Sequence, residues 1–347
     1  MARDGKYGTG REEGLEPLRP LEIADISSVD ALVRSMGRTA FGGRRLGEAA
    51  DVLEAMVRDR DCFRVITISG AMTIAKQGLI LCEMIDRGWV QAIVTTGALM
   101  THGLTEGAGM LHFKHKASMR DEELFSKGYN RVYDTIELEQ NLDDAERILQ
   151  AALQDVPDGT VLSSRFILSR LGRQLAEMTE SKAILKSAFL KDVPLYVPAF
   201  TDSELGLDVA IHQELRRRHG KQPLVFDPFQ DLYDFTDRIR AHENIGIFTI
   251  GGGVPRNWAQ QVGPYLDIQR KRLGRDEPVR RYRYAVRICP EPDHWGGLSG
   301  CSYTEGVSWG KFVPEAEGGR FAEVYADATI AWPLVVRAVM ERIPADA

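Results

Sequence analysis

Residues 62–98 read CFRVITISGAMTIAKQGLILCEMIDRGWVQAIVTTGA, and this segment decides which fold the sequence predicts. Residues 62–69 are short and rich in β-branched side chains, which is typical of a buried strand. Small residues follow as far as Thr73, and residues 74–87 have the pattern of a helix. Residues 92–96 form a second buried strand. A strand, a turn, a helix and another strand make up the β-α-β unit of a parallel sheet.

The rest of the chain repeats this alternation of strands and helices. Further strands are predicted at residues 193–198, 224–226, 246–250 and 284–288, and mostly helical stretches at residues 23–41, 46–58, 122–153 and 165–187. We therefore predict an α/β fold, a doubly wound Rossmann-like parallel sheet with helices on both faces and helical additions. Residues 1–22 are polar and are expected to wrap loosely or to be disordered, and residues 23–347 are expected to form one domain.

Composition and charge limit the class of protein. The chain has 347 residues, 44% of them hydrophobic and 27% charged, which is typical of a soluble globular protein. Its net charge of −6 argues against binding to nucleic acid, which normally requires a basic face. The four cysteines lack the spacing of a disulfide framework or a zinc site, so free thiols in a reducing cytosol are expected. Without a signal peptide or a long apolar run, a cytoplasmic protein that binds no membrane is expected.

Small and acidic residues follow several of the predicted strands. In a parallel sheet, ligands bind at the carboxyl ends of the strands, where these residues fall. Gly251, Gly252 and Gly253 would let the backbone approach the phosphates of a dinucleotide, but they lack the Gly-x-Gly-x-x-Gly pattern and also fit a tight turn. Asp202 and Asp327 could hold ribose hydroxyls, although a carboxylate at such a position also serves as a helix cap.

A second segment, residues 295–311, reads WGGLSGCSYTEGVSWGK and combines five glycines, two tryptophans and one lysine. Glycine-rich backbone between aromatic rings can wrap closely around a small ligand. Lys311 in such surroundings would be partly desolvated, which lowers the pKa of its amine and allows it to form Schiff bases with electrophilic carbon. A lysine in a solvated turn is the alternative interpretation.

Three histidines, His102, His112 and His115, lie within fourteen residues of one another. We expect no metal site from them, because the neighbouring sequence lacks a matching carboxylate pattern. His212 is expected to pack within a helix.

Taken together, the segments at the strand ends resemble deoxyhypusine synthase, from about residue 60 to the C-terminus. Four blocks carry the resemblance in the order found in the family: VPAFTD at 197–202, GGGV at 251–254, EGVSWGK at 305–311 and VYADA at 324–328. The Ser-Trp-Gly-Lys block is specific to this superfamily. Several departures from the family's pattern resemble the bacterial and archaeal deoxyhypusine synthase-like branch, which is related to plant homospermidine synthase.

The resemblance implies an NAD-dependent transferase of alkyl groups that assembles as a homotetramer with active sites at dimer interfaces. In the family's reaction, NAD takes a hydride from the carbon beside the secondary amine of spermidine and leaves an imine. Lys311 matches the lysine that captures the four-carbon aminobutyl unit while 1,3-diaminopropane departs. An acceptor amine then displaces the enzyme, and the retained NADH reduces the new imine. The family's usual acceptor is a lysine of translation factor 5A, which becomes deoxyhypusine.

The resemblance also implies roles for other residues. Glu305 matches a carboxylate that holds an ammonium group of the polyamine, and Trp309 matches a ring that packs against the substrate. Asn257, Gly296 and His102 fall at further substrate-binding positions. The positions that match cofactor contacts are Ser69, Gly70, Thr73, Thr96, Gly97, Ala98, Asp202, Gly252, Asp327 and Ala328.

This sequence departs from the family's pattern where the polyamine is held. Residues 101–102 (Thr-His) stand where the eukaryotic enzyme has two adjacent glutamates. Leu207 and Leu298 replace two polyamine-binding aspartates, with Asp208 one place from the first, and Asn257 replaces a substrate-contacting histidine, as in plant homospermidine synthases. Each hydrogen bond to a charged ammonium contributes roughly 1.5–3 kcal/mol, so the loss of two carboxylates indicates a rebuilt specificity pocket.

The leading hypothesis is a transferase that moves a 4-aminobutyl-type group from spermidine or an agmatine-like donor through an imine on Lys311. The acceptor is either a lysine of translation factor 5A or a small amine, and a small amine would give homospermidine or a bis-guanidino polyamine. Two alternatives remain. An NAD-binding paralogue without turnover conflicts with the intact Lys311, Glu305 and Trp309. A plain NAD dehydrogenase predicts that NADH accumulates.

Overall fold

The computed structural model describes residues 7–344, and within that range it contains fourteen α-helices and eleven β-strands. The helices are α1 (Val29–Gly37), α2 (Phe41–Arg58), α3 (Gly78–Asp86), α4 (Gly97–Gly107), α5 (Asp121–Ser126), α6 (Glu139–Leu153), α7 (Ser164–Met178), α8 (Ile184–Leu190), α9 (Glu204–Arg218), α10 (Phe229–Arg240), α11 (Gly253–Gln260), α12 (Val262–Leu273), α13 (Tyr303–Ser308) and α14 (Ala328–Arg342). The strands are β1 (Cys62–Ile68), β2 (Ala92–Thr95), β3 (Phe113–Lys114), β4 (Tyr129–Val132), β5 (Thr135–Leu138), β6 (Val161–Leu162), β7 (Leu195–Tyr196), β8 (Val225–Phe226), β9 (Asn244–Ile250), β10 (Tyr282–Ile288) and β11 (Arg320–Val324).

A six-stranded parallel sheet forms the centre of the fold, in the order β11-β10-β9-β1-β2-β7. From β1 the chain proceeds through β2 to β7 on one side, and from β9 through β10 to β11 on the other. The direction of winding therefore reverses between β1 and β9, which pair along their whole length. This arrangement confirms the predicted doubly wound sheet. The crevice at such a reversal is where open α/β sheets bind ligands.

Helices cover both faces of this sheet. Successive residues of β1 point to opposite faces, so Ile66 belongs to one core while Val65 belongs to the other. The first core includes Trp332 of α14, and the second includes Phe235 of α10. Because both faces are covered, β1 is buried along its whole length, which explains why five of its seven residues are apolar.

Some of the predicted helical stretches are wrong in part. The stretch 122–153 contains a hairpin of β4 and β5, which follows Gly128 at φ +65° and turns at Tyr133 at φ +52°. The two central residues of β4 are exposed, whereas the two central residues of β5 are buried and one of them is acidic, so the hairpin lacks the regular alternation of polar and apolar residues that marks a strand. The helix predicted at 165–187 divides into α7 and α8, and the one predicted at 23–41 begins only after the Ser28 cap. The predicted strand at 224–226 forms as β8, but it pairs with β6 in a separate two-stranded sheet.

The N-terminal segment lies only partly within the described residues. Residues 1–6 fall outside them, and residues 7–22 contain neither helix nor strand. The backbone N–H of Arg19 donates to the carbonyl of Arg38 at 3.0 Å, which places this segment beside the end of α1. Among the helices of residues 7–344, none combines the length and the apolar character that crossing a membrane requires.

Candidate functional site

The predicted cofactor residues lie at the carboxyl ends of the strands of the central sheet. Ser69 follows β1, and Thr96 follows β2 and caps α4, its hydroxyl accepting a hydrogen bond from the N–H of Leu99 at 3.4 Å. Asp327 follows β11 and caps α14, where its Oδ1 accepts from the N–H and the hydroxyl of Thr329 at 2.7 and 2.8 Å. The capping alternative is therefore correct for Asp327, but it uses only one oxygen of the carboxylate. Helix N-termini also attract anions, which suits the phosphates of a dinucleotide.

The other predicted cofactor residues share this edge. Asp202 is exposed in the loop after β7, and the hydroxyl of Thr73 donates to the carbonyl of Leu99 at 3.2 Å. This bond joins the turn after β1 to the first turn of α4. Gly70 lies in the turn after β1, Gly97 and Ala98 open α4, and Ala328 opens α14.

The three glycines that follow β9 lie where the winding of the sheet reverses, between the ends of β9 and β1. Gly251 and Gly253 have φ values of +79° and +65°, which favour glycine. The N–H of Gly252 donates to the hydroxyl of Ser69 at 2.9 Å and so joins the ends of β9 and β1. A Cβ atom on Gly252 would lie 2.5 Å from the Cβ of Ser299. The backbone at this point is therefore closely covered by the loop that follows β10.

Two buried arginines hold that loop, residues 289–302, and nothing in the sequence pattern singled out either of them. Arg287 lies on β10 and donates to the carbonyls of Ser299 and Cys301 at 2.5 and 3.1 Å. Its guanidinium also pairs with Glu323 on β11 at 3.1 Å. Arg256, on α11, donates to the same two carbonyls. Each guanidinium has five N–H donors and can bind several carbonyls at once, so these two side chains hold in place a loop that has little secondary structure of its own.

Lys311 lies just after α13, and its side chain is almost fully buried. Its backbone carbonyl accepts from the N–H of Tyr282, the first residue of β10, at 2.9 Å. Its Nζ donates to Oδ1 of Asn257, in the second turn of α11, at 3.1 Å. The side chain is only 9% exposed, so the interpretation as a solvated turn is wrong.

The surroundings of Lys311 lower the pKa of its amine. Loss of solvation is the largest cause, and the nearby Arg256 acts in the same direction, while Cys301 and Glu305 act against it. Asn257 is neutral and accepts the hydrogen bond through its amide oxygen, so it adds no charge that would hold the proton. The site therefore favours an uncharged amine more than an exposed lysine would.

The other residues predicted near the substrate are open to solvent. Glu305 is exposed in the first turn of α13, Trp309 is 65% exposed and Gly296 lies in an exposed turn. Trp295 is 70% exposed and Leu298 is 48% exposed. A surface that exposes this much apolar area around a buried lysine is typical of a ligand site or a protein interface.

The resemblance implies a polyamine-binding aspartate at the position of Leu207, and the neighbouring Asp208 does not replace it. Leu207 is 63% exposed on α9. Asp208 is half-buried on the same helix, and successive residues of a helix point about 100° apart, so its carboxylate does not take the place of Leu207. Burial, together with the carboxylates of Glu146, Glu204 and Asp143, raises the pKa of Asp208 to about 6.

We expect Asp208→Asn to stabilise the protein. Between roughly pH 4 and pH 6 the folded state binds more protons than the unfolded chain, so stability falls as the pH rises through this window. At pH 7.5 the substitution should raise the free energy of unfolding by about 1–2 kcal/mol, after allowance for solvent screening. Urea denaturation should show most of this gain lost at about pH 4.5. The exposed Asp276→Asn serves as the control, and equal effects of the two substitutions would contradict the assignment.

His102 belongs to a second polar cluster, whose described hydrogen bonds do not include Lys311. Its Nδ1 is 2.6 Å from Oε2 of Glu137 on β5, and Nε2 of His112 is 2.5 Å from the same oxygen. Nδ2 of Asn141 donates to the other oxygen, Oε1, at 3.0 Å. Burial would raise the pKa of Glu137, but the hydrogen bonds from His102, His112 and Asn141 outweigh it and lower the pKa to about 2. Glu137 is therefore a buried carboxylate that stays ionised.

The neighbouring sequence has no matching carboxylate pattern, but the fold brings Glu137 to these histidines from β5. The ligand atoms of His102, His112 and Glu137 lie within 4.8 Å of one another, which is close enough to hold a metal ion. However, Nζ of Lys76 lies 2.8 Å from Nδ1 of His112. An ammonium can only donate, so Nδ1 accepts and Nε2 of neutral His112 carries the hydrogen. In this arrangement Nε2 of His112 has no lone pair for a metal ion, and the three side chains form a hydrogen-bonded network. His115 does not join it, whereas His212 is buried in α9 as predicted.

Relatives match this chain over nearly its whole length. The family model for deoxyhypusine synthase matches residues 31–339. A protein of Methanosarcina acetivorans described as "Probable deoxyhypusine synthase 2" is 33% identical over 327 residues, which cover 94% of this chain and 90% of that protein. A "Deoxyhypusine synthase-like protein" of Chlorobaculum parvum is 30% identical and covers 92% of this chain and 88% of its own length. The resemblance predicted from the four sequence blocks is confirmed.

Solved structures support the fold. The crystal structure of a proposed deoxyhypusine synthase from Entamoeba histolytica aligns with a TM-score of 0.59 over 92% of this chain and 96% of that chain. The two sequences are only 14% identical in this alignment, so it bears on the arrangement of helices and strands alone.

Proposed function

The chain belongs to the deoxyhypusine synthase family, a family of transferases, and from this premise we propose that it transfers a 4-aminobutyl-type group in an NAD-dependent reaction. The donor is a polyamine or an agmatine-like amine, and the group passes to an acceptor amine through an imine on Lys311. The observation that carries this proposal is the buried Lys311 amine, which is held by the neutral Asn257 and has a lowered pKa.

The chemistry of Lys311 follows from its surroundings. An amine attacks an imine carbon only through a free lone pair, and desolvation increases the fraction of Lys311 that has one at neutral pH. The attack forms a bond from Nζ to the donor carbon and releases the leaving amine, so the four-carbon unit stays on the enzyme. Arginine could not replace it, because a guanidinium keeps its proton.

The edge of the sheet fits the predicted cofactor, NAD. The close cover of Gly252 by Ser299 leaves no room for a side chain there, and the N-termini of α4, α11 and α14 lie at the same edge. Backbone N–H groups at these ends would hold phosphates, and Oδ2 of Asp327 has no hydrogen-bond partner among residues 7–344 and could accept from a ribose hydroxyl. NAD, when bound, would supply the acceptor of the hydride. Ser69, Gly70, Thr73, Thr96, Gly97, Ala98, Asp202, Gly252, Asp327 and Ala328 are the proposed contacts.

The donor is held differently from spermidine in the eukaryotic pattern. Glu305 is the proposed partner of one ammonium group, and Trp309 and Gly296 are proposed to line the path of the substrate. The exposed Leu207 and Leu298 offer apolar contacts where carboxylates would have paired with charge. A donor or acceptor with fewer cationic groups at these two positions fits best.

Exposed apolar residues on α9 and in residues 295–309 also support the proposed assembly. Trp295, Trp309, Leu207 and Leu298 would be covered if the chain forms the homotetramer of its family, with active sites at dimer interfaces. A second chain would then complete the wall of the pocket. Translation factor 5A would be the partner only if the acceptor is a protein lysine.

Product analysis tests the proposal. The purified protein is incubated with NAD and with spermidine, putrescine or agmatine, alone and in pairs, and the products are identified by mass spectrometry. We expect a new polyamine when two small amines are combined, or release of 1,3-diaminopropane from spermidine when translation factor 5A is the missing acceptor. Net accumulation of NADH without transfer would indicate a dehydrogenase, and no reaction with any amine or with that factor would indicate a paralogue without turnover.

A further inference from the structure

The hydrogen bond to Glu137 determines which ring nitrogen of His102 carries the hydrogen. Because Glu137 is an ionised carboxylate, it accepts from Nδ1–H of His102, and the lone pair of the neutral imidazole is then on Nε2. Within residues 7–344, Nε2 of His102 has no hydrogen-bond partner. The side chain is 14% exposed, whereas that of Glu137 is 1% exposed. A buried carboxylate thus orients an imidazole whose basic nitrogen can be reached from outside.

The position of His102 places this nitrogen beside the proposed cofactor edge. His102 lies one turn beyond Ala98 on α4, and residues four apart share a face of a helix. Ala98 is one of the proposed cofactor contacts. The turn after β1 is bound to the same helix through Thr73 and Leu99, and Lys76 of that turn reaches His112. The turn after β1 and helix α4 therefore both contribute residues to this network.

The proposed reaction needs a base that reaches the donor's amine. Aliphatic amines are protonated at neutral pH, with pKa values near that of lysine, about 10.4. A hydride leaves the carbon beside an amine only when the lone pair of the nitrogen is free to form the new double bond. Asn257 cannot take up a proton, and Lys311 must itself be uncharged to act as the nucleophile.

We propose that Nε2 of His102 is the base that removes the proton from the donor's ammonium group before hydride transfer. This inference rests on the proposed function and deepens it. The N–H bond of the ammonium breaks, an N–H bond forms on Nε2, and no electrons are exchanged in the step. The positive charge moves from the donor to the imidazolium, where the carboxylate of Glu137 stabilises it through Nδ1–H. The proton returns to the departing amine.

The groups around His102 favour this role. Glu137 faces it from β5, and Asn141 of α6 holds the second oxygen of Glu137 in place. His112 shares Oε2 of Glu137, and Lys76 bonds both to His112 and to Glu106 of α4, 3.4 Å away. Within this network, the negative charge next to His102 is that of Glu137, while the charge of Lys76 is balanced by Glu106.

The test compares His102→Gln with wild type and with His219→Gln, which changes an exposed histidine at the end of α9. For His102→Gln we expect kcat to fall about 10²–10⁴-fold, with NAD affinity within about twofold of wild type. The decline of kcat/KM toward acidic pH should be shallower than in wild type, and the part that remains is due to Lys311, which still loses its free amine as the pH falls. Exogenous imidazole should restore part of the activity of His102→Ala, which a purely structural role would not allow.

Four results would overturn the proposal. Wild-type activity of His102→Gln, or an unchanged pH profile, would remove the role of His102 while leaving the transferase in place. One zinc ion per active chain, with activity lost on chelation, would show that the cluster binds a metal. A wild-type protein that forms no product with any amine would instead overturn the proposed function, and this inference with it.

Discussion

Replacing Lys311 by alanine is expected to abolish the adduct that borohydride traps when the protein is incubated with NAD and its amine donor. The reason is that the imine forms on Nζ of Lys311, and among residues 7–344 no other lysine is buried as Lys311 is beside Asn257. Turnover should fall by a factor on the order of 10³ or more, because a lost nucleophile removes a whole step of the reaction. Peptide mass spectrometry of the trapped protein should locate the adduct on residues 310–312 in wild type only.

The pH dependence of trapping gives a second measure of the same residue. Burial lowers the pKa of Lys311, so the reactive free amine becomes dominant at a lower pH than for an ordinary lysine. The trapping rate should rise with pH and reach half its maximum below about pH 10.4. Asn257→Asp would place a carboxylate next to the ammonium, raise the pKa of Lys311 and move this profile to higher pH.

Lys191→Ala is the matched control, since Lys191 is exposed at the end of α8 and lies outside both polar clusters. It should keep full trapping. Thermal unfolding of Lys311→Ala should resemble that of wild type closely enough to exclude a folding defect. If Lys311→Ala still formed the adduct at the wild-type rate, the nucleophile would be another residue and the proposed route through Lys311 would be wrong.

The central sheet could be predicted because its signal is local. Residues 62–69 are buried on both faces, so their apolar run reads directly as a strand, and the small residues that follow mark the end where ligands bind. Lys311 could be identified for a similar reason, since its block is contiguous. The strand that brings Glu137 could not be predicted in the same way, because β5 is only four residues long, lies within a charged stretch and buries an acidic side chain.

The polar networks could be identified only from the structure. Glu137 is thirty-five positions from His102 and twenty-five from His112, and nothing in that spacing indicates that the three meet. Of the two arginines that hold residues 289–302, Arg256 reaches Cys301 across forty-five positions, whereas Arg287 reaches it across fourteen. Contacts of this kind depend on how the sheet is wound, and the pattern along one strand or helix does not contain them.

Gly252→Ala is expected to weaken NAD binding about 10–100-fold, which corresponds to an overpacking cost of about 1–3 kcal/mol. The added Cβ would lie 2.5 Å from the Cβ of Ser299 and 2.6 Å from its Cα, so a change of rotamer cannot relieve the contact. Residues 289–302 would have to move away from β9, although Arg287 and Arg256 hold them there. The N–H of Gly252 would shift with respect to Ser69, and the turn proposed to hold phosphates would change shape.

Gly253→Asn is the control, because it also replaces a glycine of this turn but does not create the steric clash. Gly253 has a φ of +65°, and a Cβ atom added to it would meet no other described atom within 4 Å. Asparagine also tolerates this backbone conformation better than most residues. Titration of each variant with NAD, followed by protein fluorescence, should therefore show a large loss of affinity for Gly252→Ala and a small one for Gly253→Asn. Equal affinities for Gly252→Ala and wild type would mean that NAD does not bind against this turn. In that case the carboxyl ends of β1 and β9 would not be the cofactor site, even though the winding of the sheet reverses there.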